Sequence, residues 1–157
     1  MESLIGKAID FHKEGIEVEI LTTDHHADGI YLYRWVKENL PERAQEVEQL
    51  LEYHGGCSAG VKIANIDPQG YVYPCQFWRS SSLGKVPERS FREIWYDEKN
   101  KLLKALRNKE AHLKGKCGEC KYNSLCGGCR IRAEAVKGDI WDEDPVCYLT
   151  NEEIGKA

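Results

Sequence analysis

Cys117, Cys120, Cys126 and Cys129 form a C-x2-C-x5-C-x2-C array, the densest cluster of ligating side chains in the sequence. Two-residue spacing lets one turn aim two sulfurs at a common centre, and glycines at 118, 127 and 128 let the backbone wrap closely around it. Four buried thiols without a metal are the bland alternative. A four-cysteine zinc site is the second, but its two pairs are ordinarily separated by a dozen or more residues, and here the inner gap is only five. Zinc would also leave Cys57, Cys75 and Cys147 without a role. An iron–sulfur cluster is wider and takes thiolates from distant parts of a chain, which suits cysteines lying on both sides of the array.

The composition fits that chemistry. Seven cysteines in 157 residues all lie between Cys57 and Cys147, and the odd count argues against a closed disulfide set. Charge divides at the same place: residues 1–56 hold five Lys and Arg against twelve Asp and Glu, while residues 57–157 hold seventeen against fourteen. The second half is mildly basic, enough for an anionic cluster or a carboxylate-bearing ligand. It lacks the concentrated basic stripe of a nucleic-acid surface. No apolar run approaches the ~20 residues needed to span a bilayer, and the N-terminus has no signal-peptide pattern. A cytoplasmic protein with no membrane partner is the expectation.

Positioning these thiols falls to two kinds of texture. Residues 2–14 carry Leu4, Ile5, Ala8, Ile9 and His12 at helical spacing, with Gly15 as the stop. Ile16–Ile20 alternates apolar and charged residues and predicts a half-buried strand, followed by the polar stretch Asp24–Gly29. That stretch faces a substrate in one reading; in the other it is a plain loop whose Asp28 caps the next helix. Helices are expected over 28–39 and after Pro41, where Ala44, Val47, Leu50, Leu51 and His54 form a stripe ended by Gly55 and Gly56. Beyond Cys57, Val61–Ile66 and Tyr71–Tyr73 flank Asp67-Pro68-Gln69-Gly70, a β-hairpin signature. Ser90 caps one amphipathic helix running through Phe91, Ile94, Trp95, Leu102, Leu103 and Leu106. The array leads into a short helix near Arg130–Val136 stopped by Gly138, and 139–157 reads as acidic loop.

Cys57, Gly70, Cys75, the array and Cys147, in this order and spacing, resemble the SPASM domain, the auxiliary-cluster extension of radical S-adenosylmethionine enzymes. The resemblance covers residues 57–148. It departs from the fullest family pattern in closing the array with C-x2-C rather than C-x3-C and in having seven cysteines rather than eight. It implies an α+β chain. Residues 1–56 would be a small α/β slice, the C-terminal part of a partial β/α barrel. Residues 57–157 would be a SPASM-type hairpin and helix domain built around two 4Fe–4S clusters. In the family the last cysteine of the array crosses to the other cluster. By that likeness Cys117, Cys120, Cys126 and Cys147 hold one centre. Cys57, Cys75 and Cys129 hold the other, which leaves one iron for water, substrate or a non-cysteine side chain.

Residues 23–29, 63–78 and 83–95 are similar in wording to the tetrapyrrole branch, whose members remove carboxylate side chains from decarboxylated sirohaem in haem biosynthesis. That likeness makes His25 and His26 candidates for contact with a macrocycle, and Arg79, Arg89 and Arg92 candidates for its carboxylates. An electron donor is implied as a further partner. Peptide-modifying enzymes and maturases also carry SPASM domains, and a non-catalytic electron-transfer module is a third reading.

The radical-initiating motif C-x3-C-x2-C does not occur, because no cysteine precedes Cys57. S-adenosylmethionine and a third cluster therefore belong only to a full-length enzyme. The chain by itself, reduced and incubated with S-adenosylmethionine, is expected to yield no 5′-deoxyadenosine by liquid chromatography; its detection would refute this.

Overall fold

A computed structural model describes residues 1–155, with eight-residue or longer helices before residue 55 and a small sheet after it. Helix α1 (Glu2–Lys13) ends before Gly15, which takes a left-handed φ of +71°. Of the apolar stripe expected on α1, Ile5 alone is buried. The strand expected at Ile16–Ile20 does not form. Ile16 is 47%, Val18 51% and Leu21 72% exposed, and the segment is irregular. Alternation makes a strand only where a neighbour offers a hydrogen-bonding edge, and among the described residues none lies beside it.

Helix α2 (Ala27–Asn39) begins one residue earlier than expected, so Asp28 and Gly29 belong to its first turn rather than to a loop. Asp28 is consequently not the helix cap. His26 occupies that position, and Asp28 accepts a hydrogen bond from Tyr148 Oη at 2.8 Å. A 3-10 turn at Pro41–Arg43 leads into α3 (Ala44–His54), with Gly55 beyond its end. Proline at the first helical position fits there because its missing N–H has no intrahelical partner to lose.

The expected hairpin is present but shorter. Strands β1 (Asn65–Ile66) and β2 (Tyr71–Tyr73) pair antiparallel, with Asn65 opposite Tyr73, while Val61 and Lys62 form a turn and Ile63 makes an isolated bridge to Ala59 instead of strand. Asp67 Oδ1 accepts from the amides of Gln69 and Tyr71 at 3.0 and 2.9 Å, closing the turn around Gly70. A third strand, β3 (Gly84–Lys85), adds to β2.

The single helix expected from Phe91 to Leu106 is two: α4 (Phe91–Trp95) and α5 (Lys101–Arg107). Ser90 does cap the first, in a reciprocal capping box with Glu93. Between them Asp97 accepts from the Lys99 amide and Asn100 Oδ1 from the Leu103 amide, so local side chains take the backbone donors a continuous helix would have used. Helices α6 (Gly115–Glu119) and α7 (Arg130–Lys137) flank the cysteine array, and Gly138 ends α7 at φ +75°. Residues 139–155 are turns and irregular chain, as expected. Helices with a small antiparallel sheet make this an α+β structure. Among the described residues no helix is long and apolar enough to cross a membrane.

Three apolar clusters hold these pieces. Val72, Leu83, Ile94 and Leu103 seat the sheet on α4 and α5. Ala59, Trp78 and Leu106 surround Cys57 and Cys75. The third crosses residue 56: Ala27, Ile30 and Tyr33 of α2 pack with Leu125, Leu149 and Ile154, against Cys120, Cys126 and Cys147. Polar ties follow the same seam, with Arg34 paired to Glu153 and His25 Nε2 3.1 Å from Val146 O.

Gly70 stands at φ +87°, and a Cβ there would be driven into the Val86 carbonyl. Gly70→Ala is therefore expected to cost about 1–3 kcal/mol, read as a lower thermal midpoint in the metal-loaded protein; an unchanged midpoint would contradict the turn geometry.

Candidate metal centre

Seven free thiols are delivered by short elements whose ends converge on two cavities. Cys57 emerges directly from Gly55 and Gly56 after α3, Cys75 lies two residues past β2, and Cys129 caps the N-terminus of α7. These three line one cavity of about 460 Å³, together with Asp24, His26, Gln76, Phe77 and Arg132. Cys117 lies in α6, Cys120 caps its end, Cys126 follows in the loop and Cys147 enters from the acidic tail. These four line a smaller cavity closed by Ala27, Ile30, Leu149 and Ile154. The C-x2-C pair Cys126 and Cys129 is thus split between the two cavities. Gly127 and Gly128, at φ +64° and +58°, permit the split, since side chains at both positions would collide with Lys109 and with Asp144, Arg130 and Cys117.

Backbone donors point at the sulfurs of the smaller cavity. The amide of Asp144 donates to Cys117 Sγ at 3.3 Å, that of Tyr122 to Cys120 Sγ at 3.4 Å and that of Gly128 to Cys126 Sγ at 3.5 Å. Burial nevertheless opposes ionisation. It pushes the Cys126 thiol up to about 12 and also raises Cys117 and Cys120. Around the larger cavity, burial likewise raises Cys75. Cys129 there donates to Cys57, which holds Cys57 well below the ordinary thiol range and Cys129 well above it; burial of Cys57 works against this, and a hydrogen bond with His26 adds to it.

Asp144 joins the two cavities. Its side chain is 5% exposed, and Oδ2 accepts from the Cys129 amide at 2.7 Å while its own amide serves Cys117. Arg132 grips both carboxylate oxygens, with Nε at 3.0 Å from Oδ1 and Nη2 at 2.8 Å from Oδ2. Burial acts against the charge, yet the Arg132 guanidinium and the Cys129 amide outweigh it and keep this carboxyl below the usual range. Arg132 Nη1 also donates to the carbonyl of Asp24 at 2.6 Å, fixing that residue at φ +60° above the larger cavity. Lys109 lies between the cavities, its Nζ donating to Cys57 O at 3.1 Å, and burial lowers its pKa.

The other candidates divide. His26 lies on the wall of the larger cavity. His25 does not; it stacks on Tyr148 at 5.1 Å, with Nδ1 3.2 Å from Asp28. Arg79 lies over the Tyr73 ring at 5.0 Å, Arg89 pairs with Asp97 at 2.9 Å and Arg92 lies over Tyr96 at 5.6 Å, none of them lining either cavity. Arg132 and Asp144 are not among the site residues expected from the sequence. Arg132 had a signal, its nearness to Cys129; Asp144 is one of four acids between 139 and 144, and nothing in the sequence separates it from the rest.

This donor set fits a sulfur-ligated cluster. Four free thiols line one cavity and three the other, backbone amides point at the sulfurs of Cys117, Cys120 and Cys126, and cysteine thiolate is the ordinary ligand of an iron–sulfur centre.

Comparison with known proteins agrees. Residues 57–130 match the SPASM family model, described as an iron–sulfur cluster-binding domain. The chain is 44% identical to Fe-coproporphyrin III synthase of Methanosarcina barkeri, over 99% of its own length and 40% of that protein. It is 40% identical to pre-heme d1 synthase of Dinoroseobacter shibae, over 100% of its length and 39% of that protein. PqqA peptide cyclase of Ruegeria pomeroyi is 36% identical over 61% of the chain and 26% of that protein. The chain thus spans about two fifths of the length of the first two relatives. No solved structure matches.

Asp144→Ala removes the carboxylate that Arg132 and the Cys129 amide share. The expected cost is roughly 2–3 kcal/mol, measured by chemical denaturation of the metal-loaded protein; a loss below the scatter of surface substitutions would contradict its role as a tie.

Proposed function

We propose, from the match of residues 57–130 to the SPASM iron–sulfur cluster-binding domain, that the chain is the auxiliary-cluster portion of a radical S-adenosylmethionine enzyme that removes carboxylate side chains from a decarboxylated sirohaem on the way to haem. The observation that carries this reading is the division of seven cysteines into three around the larger cavity and four around the smaller, more enclosed one. Relatives named as synthases of haem-type products, matched along the whole chain, support the tetrapyrrole substrate over a peptide.

In this proposal residues 57–157 are the cluster domain and residues 1–56 the C-terminal end of a β/α barrel. The apolar residues of Ile16–Leu21 and the face of α1 around Leu4 would then be covered by further barrel strands, which accounts for their exposure. Cys117, Cys120, Cys126 and Cys147 would hold one 4Fe–4S centre, and Cys57, Cys75 and Cys129 a second with one iron lacking a cysteine. When bound, such centres supply one-electron chemistry.

This chain's own residues shape what reaches the open side. His26 is assigned to contact with the substrate, which its position on the cavity wall beside Cys57 supports. His25, with one ring nitrogen against Val146 O and the other against Asp28, is assigned to holding the 24–28 segment in place. Ile63, Phe77 and Ile131 give the cavity an apolar lining suited to a flat macrocycle. Arg79 lies outside that lining, and its proposed part is limited to carboxylates that extend beyond the cavity.

Anaerobically prepared protein is expected to carry about eight irons and matching sulfide per chain. Cyanide should perturb the spectrum of one centre only, and Cys147→Ala should make the second responsive. Stoichiometric zinc without sulfide would overturn the cluster reading. Equal response of both centres in the wild type would overturn the division of ligands.

A further inference from the structure

Arg130 is fully buried at 0% exposure, one residue after the last cysteine of the array. Its Nη1 donates to the carbonyls of Ile140 at 2.9 Å and Asp142 at 2.7 Å, and its Nη2 points at Cys117 Sγ at 3.6 Å. Nε is buried and has no hydrogen-bond partner among the described residues. No carboxylate lies within ion-pair distance of it there. The nearby acids are taken: Asp144 by Arg132, Asp139 by Lys114 and Glu143 by Lys137.

A guanidinium remains charged in proteins, so burial without a counter-ion carries a large desolvation penalty. Two carbonyl dipoles ease that penalty without neutralising the charge. The one anion the geometry can offer is the group held by Cys117 and its partners. A centre ligated by four thiolates carries net negative charge, and that charge grows by one on reduction.

We infer that Arg130 is the buried counter-cation of the four-cysteine centre, a positioning residue that favours its reduced state and raises its reduction potential. The inference rests on the proposed ligation by Cys117, Cys120, Cys126 and Cys147. One electron enters from an external reductant, and no bond or proton moves. The attraction acts at short range from a buried side chain whose Nη2 lies beside Cys117, so it falls on this centre far more than on the one around Cys57.

The test is an EPR-monitored redox titration of the iron-loaded chain, as wild type, Arg130→Gln and Arg130→Lys, with iron and sulfide counted in each. The cyanide-insensitive signal identifies the four-cysteine centre. In Arg130→Gln its reduced-to-oxidised ratio at fixed potential is expected to fall at least tenfold, about 59 mV for a one-electron couple. The cyanide-sensitive centre should be unmoved and Arg130→Lys should stay close to wild type. Loss of one centre's iron in the glutamine variant, with full loading of the lysine variant, would equally show dependence on the charge. Unshifted potentials in Arg130→Gln would overturn the inference. So would equal shifts or equal iron loss in both variants, which would make Arg130 a hydrogen-bonding fork for Ile140 and Asp142 and nothing more. A wild-type chain free of iron and sulfide would instead refute the cluster reading beneath it.

Discussion

Thiols become ligands only as thiolates, and burial opposes that ionisation at Cys57, Cys75, Cys117, Cys120, Cys126 and Cys129. The raised thiols of Cys75, Cys117, Cys120 and Cys126 show the opposition directly. A cationic metal centre reverses it by displacing the protons, so ligand binding and the charge state of the interior are linked. The protein adds its own positive charge around the same sulfurs. Lys109, Arg130 and Arg132 all lie beside the cysteines; Asp144 matches Arg132, whereas Arg130 is buried with no carboxylate partner among the described residues. A buried guanidinium without a counter-ion is unfavourable, and it becomes reasonable once the neighbouring cavity holds an anionic group.

Geometry follows from the same need. A sulfur cage requires close turns, and the local elements are accordingly short: two- and three-residue strands, five-residue helices and a pair of left-handed glycines between Cys126 and Cys129. Short elements have little packing of their own. Apolar clusters seat them, and polar ties that cross long stretches of sequence add to the hold. Asp144 binds the Cys129 amide and Arg132, Arg132 reaches the Asp24 carbonyl, and Tyr148 reaches Asp28. Each tie connects the acidic tail or α7 to another wall of a cavity, so the two cavities are held as one unit.

The cysteines were legible because spacing is a local property, and a turn that aims two sulfurs leaves its mark within four residues. The hairpin around Gly70 and the caps at Ser90 and Gly138 were legible for the same reason. What depended on distant partners was not. Ile16–Ile20 alternates like a strand, but strand formation is decided by a neighbour that the described residues do not supply. The apolar period from Phe91 to Leu106 hid the break at Asp97–Asn100, because hydrophobic residues resume in phase after two capping side chains have ended one helix and begun another. Arg130 and Asp144 look like ordinary surface charges in sequence, and only the folded chain shows them sealed inside.

The two cavities are sealed unequally, and the chain around the start of α2 contributes to the difference. Helix α2 lays Ala27 and Ile30 across the four-cysteine cavity, with Leu149 and Ile154 completing the lid. One turn earlier the same chain passes the three-cysteine cavity, presenting Asp24 and His26 to it and leaving it open. A single segment therefore lines one site with apolar side chains and furnishes polar groups to the other. Low dielectric around the closed site strengthens the influence of every fixed charge near its sulfurs, while the open site admits a ligand. Closure of one and access to the other are not independent features: shifting the start of α2 by a turn would uncover Cys126 and Cys147 and withdraw His26 from Cys57 at the same time.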